Sequence, residues 1–172
     1  MNGFSKKDIL KLFDLLNEEL SQKKIKGELY LVGGAVMSLV FNERVSTKDL
    51  DGVFRPTQEI RKAVKKIAKD HGFDEDWLND AVKGFLSKDQ EYDQYLELSN
   101  LKVYCATPEY LLAMKCLSMR IGEEFEDEND IIYLLRYLNI SDYKKAVDLI
   151  TKFYPKEKIP QKTFYALEEI LG

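Results

Sequence analysis

Two stretches decide the reading of this chain: Leu31-Val32-Gly33-Gly34-Ala35 and, after fourteen residues that follow Gly34, Asp49-Leu50-Asp51-Gly52-Val53. Glu28 to Val32 is a short apolar run rich in strand formers, so it predicts a buried strand running into the two glycines. Ala35 to Phe41 carries helical spacing, and Asp49 to Phe54 predicts a second short strand, stopped by Pro56. On a strand, residues two apart share a face about 6.6 Å apart, so Asp49 and Asp51 project two carboxylates together. At an effective dielectric near 20 that pair repels by about 2.5 kcal/mol, and a divalent cation turns the repulsion into attraction. Oxygen-ligated Mg²⁺ (or Mn²⁺) suits such a site, because it uses one or two carboxylates and completes its shell with waters and substrate phosphates. Two such ions about 4 Å apart would serve an in-line displacement at phosphorus. The side-chain-free Gly33-Gly34 backbone, set before a helix, lets phosphate oxygens approach its N–H groups. Strand, Gly-Gly, helix, strand, Asp-x-Asp is therefore a coherent arrangement for handling a triphosphate.

Composition bounds the rest. At 172 residues, 45% hydrophobic and 33% charged, the chain has the make-up of one globular domain with a core large enough to need no disulfide or structural zinc. The longest apolar run, Leu29 to Phe41, falls short of the ~18 residues of a membrane span and is cut by the two glycines. The start has no signal-peptide stretch, and Cys105 and Cys116 lack Cys-x-x-Cys spacing, so reduced thiols and a cytoplasmic location are expected. A net charge of −4 excludes a polyanion-coating protein, although Arg61, Lys62, Lys65, Lys66 and Lys69 crowd one predicted helix and Glu123 to Asp130 holds six acids in eight residues.

Ser5 is placed to cap a first helix carrying Ile9, Leu10, Leu12, Phe13, Leu16 and Leu20. Thr57 is expected to cap the basic helix, which ends at His71-Gly72, and residues 74–85 read as a further helix carrying Trp77. Tyr92 to Leu98 and Leu101 to Ala106 read as a hairpin around Ser99-Asn100. Behind Thr107-Pro108 the chain is helical: 108–120, about 127–138, 141–153 and 161–171. The fold class is α+β, a small mixed sheet flanked by helices with a C-terminal helical tail. Residues 1–106 form the core, and 107–172 form a helical region packed on it as one structural unit.

The Leu-Val-Gly-Gly-Ala-Val stretch with Ser46-Thr47-Lys48-Asp49-Leu50-Asp51 resembles the nucleotidyltransferase superfamily, the DNA polymerase beta-like fold. The likeness is closer to a bacterial nucleotidyltransferase-like family of unknown function, related to abortive-infection type toxins of toxin–antitoxin systems. It continues through Asp76 to Phe85, Asn100 to Tyr104, Thr107 to Lys115, Asp127 to Ile131 and Ile159-Pro160. The resemblance implies that Gly33, Gly34, Thr47 and Lys48 bind the nucleotide and that Asp49 and Asp51 bind Mg²⁺. It implies that Lys115 serves the phosphates, and that Asp127 and Asp130, on one helix face, orient Lys115 or the nucleotide. A third carboxylate, binding metal and deprotonating the acceptor, is expected on the 92–98 strand. There Glu91, Asp93, Tyr95 and Glu97 share one face; Glu97 is the first choice and Asp93 the reserve.

The remaining residues read as structure. His71, the sole histidine, is a helix-end or surface residue, and Trp77 with Phe85 is core. Asn79 and Lys83, four apart, read as surface, with a cleft lining as the sharper alternative. The function expected is Mg²⁺-dependent transfer of a nucleotidyl group from an NTP to an RNA, a protein or a small molecule. Two alternatives stand beside it: a nucleotide-binding module that has lost catalysis, and a toxin–antitoxin component acting on a cognate partner protein.

Overall fold

The computed structural model describes residues 3–122 and 124–172; Met1 and Asn2 at the start and Glu123, the first residue of the acidic run, lie outside it. The chain divides into two compact units, Met1–Gly84 with Tyr92–Cys105, and Phe85–Glu91 with Ala106–Gly172. Among the described residues are five strands in one mixed sheet and seven α-helices, so the α+β class read from the sequence stands.

In the first unit, α1 (Lys6–Gln22) starts where the sequence places its cap. Ser5 Oγ accepts from the Asp8 N–H (3.2 Å), and the Asp8 carboxylate accepts from the Ser5 N–H (2.8 Å), a reciprocal capping box. β1 (Gly27–Val32) runs into α2 (Gly34–Leu39), then β2 (Leu50–Arg55) and α3 (Thr57–His71), which ends on Gly72 at φ 74°. The sheet continues with β3 (Leu78–Asn79), β4 (Tyr92–Glu97) and β5 (Leu101–Ala106), in the spatial order β3-β2-β1-β5-β4. β1 pairs antiparallel with β2 and parallel with β5, while β2 and β3 are parallel. Leu29, Leu31, Leu50, Phe54, Leu101, Val103 and Cys105 bury one face of the sheet. The apolar stripes of α1 and α3, among them Phe13, Leu16, Ile60 and Val64, complete that core, with α3 packed on β2. The other face, which carries Tyr30, Asp51, Val53 and Tyr104, is half-buried.

Three sequence expectations change here. Residues 74–85 are not a helix: a turn leads to β3, and Ala81–Phe85 is a short 3-10 turn. The Leu50 N–H donates to the Trp77 carbonyl (2.7 Å), which draws the segment onto the sheet edge, and Asn79 bonds local backbone at both ends of its amide. Trp77 is core as expected, its indole N–H donating to the Val64 carbonyl (2.9 Å), whereas Phe85 is 47% exposed. Thr57 is the first residue of α3 rather than its cap; its hydroxyl donates to the Phe54 carbonyl (3.1 Å).

The second unit consists of segment 85–91 and the helices α4 (Pro108–Leu117), α5 (Asp127–Tyr137), α6 (Tyr143–Ile150) and α7 (Gln161–Leu171). Helix α4 buries Leu111, Leu112, Ala113 and Cys116 at its centre. Tyr110 stacks on Phe153 (5.3 Å between centroids) and its hydroxyl accepts from the Ser87 N–H (3.1 Å). Thr163 Oγ1 donates to the Cys116 carbonyl (2.7 Å), so the buried polar groups of this unit are paired. Cys105 and Cys116 are free thiols. No helix of the described residues is long and apolar enough to cross a membrane.

Candidate active site

The antiparallel register of β1 and β2 pairs Val32 with Asp51. The residue after Val32 is Gly33, so the glycine turn and the aspartate strand, eighteen positions apart from Gly33 to Asp51, become neighbours. Each glycine is required for its own reason. Gly33 has φ 70° and ψ −149°, a backbone region strained for any residue with a Cβ, and a Cβ there would sit 3.5 Å from Asp51 Oδ2. Gly34 has ordinary φ, but a Cβ on it would run into the Arg44 guanidinium (3.3 Å from Cζ) and lie 3.0 Å from Thr47 Oγ1.

Asp49 sits one residue before β2 begins, in a loop anchored from two sides. Phe4 and Thr47 exchange backbone hydrogen bonds (2.7 and 2.9 Å), and Thr47 Oγ1 donates to the Asp49 carbonyl (3.1 Å). Thr47 is buried and spends its hydroxyl on this loop, whereas Lys48 is exposed. The Asp49 carboxyl is held above the usual carboxylate range, first by burial, then by the like charges of Asp51 and Asp76, with Lys48 partly offsetting them. Asp76 comes from the turn before Trp77, which the Leu50–Trp77 hydrogen bond brings beside the start of β2. In the same register Asn79 lies opposite Asp51.

Glu97 is not part of this cluster. Glu28 pairs with Arg55 on one side and Lys102 on the other, and Glu97 pairs with Lys102 Nζ (3.6 Å) at that end of the sheet. Asp51 is at the opposite end of β1, four residues or roughly 13 Å away along the strand. Asp93, the reserve, is near the correct end but on the wrong face. Tyr92 packs on Tyr30 (5.1 Å between centroids) on the Asp51 side, so the alternation turns Asp93 to the helix-covered side. There it adds to burial, the larger cause, in pushing the Cys105 thiol up to about 12.

Within the second unit the structure does bring Lys115, Asp127 and Asp130 together. Lys115 Nζ lies 2.8 Å from Asp130 Oδ2 and 3.4 Å from Asp127 Oδ1, with all three side chains buried. Asp127 also accepts from the Arg120 backbone N–H and Nε, both at 2.9 Å. Burial alone raises the Asp127 carboxyl, but the Arg120 hydrogen bonds and the Lys115 charge outweigh it and hold the carboxyl below its ordinary value. The arrangement ties Arg120 and the first turn of α5 to the end of α4.

Two residues near the Gly-Gly and Asp-x-Asp pair escape sequence reading, Arg44 and Asp76, while Asn79, read as surface or as cleft lining, stands opposite Asp51. Asp76 and Asn79 stand inside a stretch that reads as a helix, which hides their strand-edge position. Arg44 reaches Gly34 only because Asn42, at φ 56°, reverses the chain after α2. The asparagine alone hints at such a turn.

Asp49 and Asp51 offer hard oxygen donors, Asp51 beside the Gly33 turn, a donor set that fits a Mg²⁺ ion drawing its remaining ligands from water and substrate. Among the described residues no group of three His, Cys, Asp or Glu side chains is assembled as a metal site, so the two carboxylates fit that partial shell rather than a closed cage. The profile of a family described as "Nucleotidyltransferase of unknown function (DUF6036)" matches residues 7–158. Neither the curated proteins nor the solved structures give a match.

Proposed function

The chain belongs to the DUF6036 family of nucleotidyltransferases of unknown function, and on that premise we propose that it moves a nucleoside monophosphate group from an NTP to an acceptor with the help of Mg²⁺. The observation that carries this reading is the Val32–Asp51 register, which sets the Gly33 turn against the Asp51 carboxylate. An acceptor oxygen attacks the α-phosphorus, the bond from that phosphorus to the β-bridging oxygen breaks, and pyrophosphate leaves. Gly33 and Gly34 give the phosphates room for close approach, and Asp49 and Asp51 hold the metal. When bound, Mg²⁺ supplies neutralisation of the phosphate charge and polarisation of the reacting phosphoryl group. Asp76 takes the place intended for Glu97 and receives the acceptor proton, supported by its position beside Asp49.

Calorimetric titration with each NTP, with and without Mg²⁺, tests the site. Wild type binds only with metal, and the Asp49→Ala/Asp51→Ala double variant does not bind; equal binding in EDTA would overturn the reading. The displacement of Glu97 favours one second reading, a nucleotide-binding module without turnover. Metal-dependent binding with no pyrophosphate release in the presence of RNA, protein or small-molecule acceptors would select it. A toxin–antitoxin role is carried by the sequence resemblance alone, and a cognate partner encoded beside this chain's gene is the observation that would support it.

A further inference from the structure

We propose that Arg44 is a triphosphate-binding residue, its guanidinium lying against Gly34 to meet phosphate oxygens at the glycine turn. The proposal rests on the nucleotidyl-transfer reading and names a phosphate ligand that the glycine and aspartate motifs leave out.

The placement of Arg44 is built in the backbone. Asn42 turns the chain back at φ 56°, the Glu43 N–H donates to the Met37 carbonyl (3.1 Å), and Ser38 Oγ donates to the Arg44 carbonyl (3.3 Å). These bonds fix the Arg44 backbone against α2 without using its side chain. The side chain then crosses Gly34 so closely that a methyl group there would collide with the guanidinium. The Thr47 hydroxyl, at 3.0 Å from the same hypothetical Cβ, closes that side of the turn.

The charges are complementary to a metal-bound polyphosphate. Asp51 borders the turn at Gly33 and Arg44 borders it at Gly34. A metal on the carboxylate side neutralises some phosphate oxygens and leaves others that need donors. Arg44 is half-buried, and its planar guanidinium fork has the geometry that matches two phosphate oxygens. A small residue at position 34 is what admits this approach.

The test uses the whole chain, with sodium tripolyphosphate and a non-hydrolysable NTP analogue titrated calorimetrically in Mg²⁺, and thermal melts of each variant. Arg44→Ala is expected to weaken tripolyphosphate binding by roughly tenfold to a hundredfold, the range for a charged hydrogen-bonding group. Arg44→Lys recovers part of the loss by keeping the charge without the fork. Gly34→Ala mimics Arg44→Ala, because the added methyl displaces the guanidinium. A nucleoside lacking phosphates, titrated in parallel, binds all variants alike. Arg44→Gln, close in size, serves if Arg44→Ala fails to fold. Unchanged tripolyphosphate affinity in Arg44→Ala or Arg44→Gln overturns the inference while leaving the nucleotide site standing. A lowered melting temperature with equal weakening for nucleoside and triphosphate assigns Arg44 to structure and also overturns it. If wild type binds neither polyphosphate probe, the nucleotidyl-transfer reading falls and this inference with it.

Discussion

A methyl group on Gly33 and one on Gly34 would fail for different reasons, and the difference is measurable. Gly33→Ala forces a Cβ into a backbone region at φ 70° and ψ −149°, at a cost of about 1–3 kcal/mol in stability, read as a lower urea midpoint. Gly34→Ala displaces a neighbouring side chain and is expected to act on ligand binding more than on folding. Asp49 shows the usual conflict between site and stability. Its folded-state pKa is raised, so its negative charge opposes folding once pH exceeds the unfolded value near 3.9, and the penalty is fully present above the folded value. Asp49→Asn is therefore expected to raise the melting temperature at pH 7 in metal-free buffer. The gain disappears as pH falls below about 4 and shrinks when saturating Mg²⁺ is added, since the ion relieves the same repulsion. A melting temperature unchanged by the substitution at pH 7 would show that burial and the charges of Asp51 and Asp76 put no such strain on the Asp49 carboxylate.

At the scale of elements, two local arrangements carry much of the order. Trp77 is buried where β3 joins the sheet, holds the Val64 carbonyl through its indole, and hands its own carbonyl to Leu50. Trp77→Ala is expected to cost about 3–5 kcal/mol in chemical denaturation, and Trp77→Phe, which leaves the Val64 carbonyl without that donor, about 1–3 kcal/mol. The junction of α4 and α5 depends instead on charge. Removing the amine by Lys115→Met takes the buried cation away from Asp130 and from Asp127, the latter still held by Arg120, and is expected to cost about 3–5 kcal/mol. The depressed Asp127 pKa gives the acid dependence its sign. Its stabilising contribution is complete above the unfolded value near 3.9 and is lost as pH falls through the lower folded value. Asp127→Asn removes that step from an acid titration followed by circular dichroism. These elements also show where sequence reading reached and where it stopped. The Ser5 cap, the Thr107-Pro108 start and the α3 stop at Gly72 were legible because capping is decided within a few residues. The spacing of Trp77, Ala81 and Phe85 mimics a helix, and only the edge of β2 overrides it.

Across the whole molecule the sheet order decides what meets what. Glu97→Gln is expected to leave NTP affinity unchanged, because hairpin direction carries Glu97 to the Lys102 end of β5 while Asp51 lies at the Cys105 end. A clear loss of affinity in that variant would contradict the assignment. The alternation of residues 91 to 97 groups their odd-numbered side chains, but alternation within one strand says nothing about which end or face of a five-stranded sheet they join. The α+β class, most element boundaries, and the Gly-Gly and Asp-x-Asp pair are readable before folding, since each is written in local periodicity, turn chemistry or short spacing. That Asp76 and Arg44 flank the pair and that Glu97 does not emerges only once the chain is packed. Those placements follow from strand register and from a chain reversal at Asn42, which are set by packing among residues far apart in sequence.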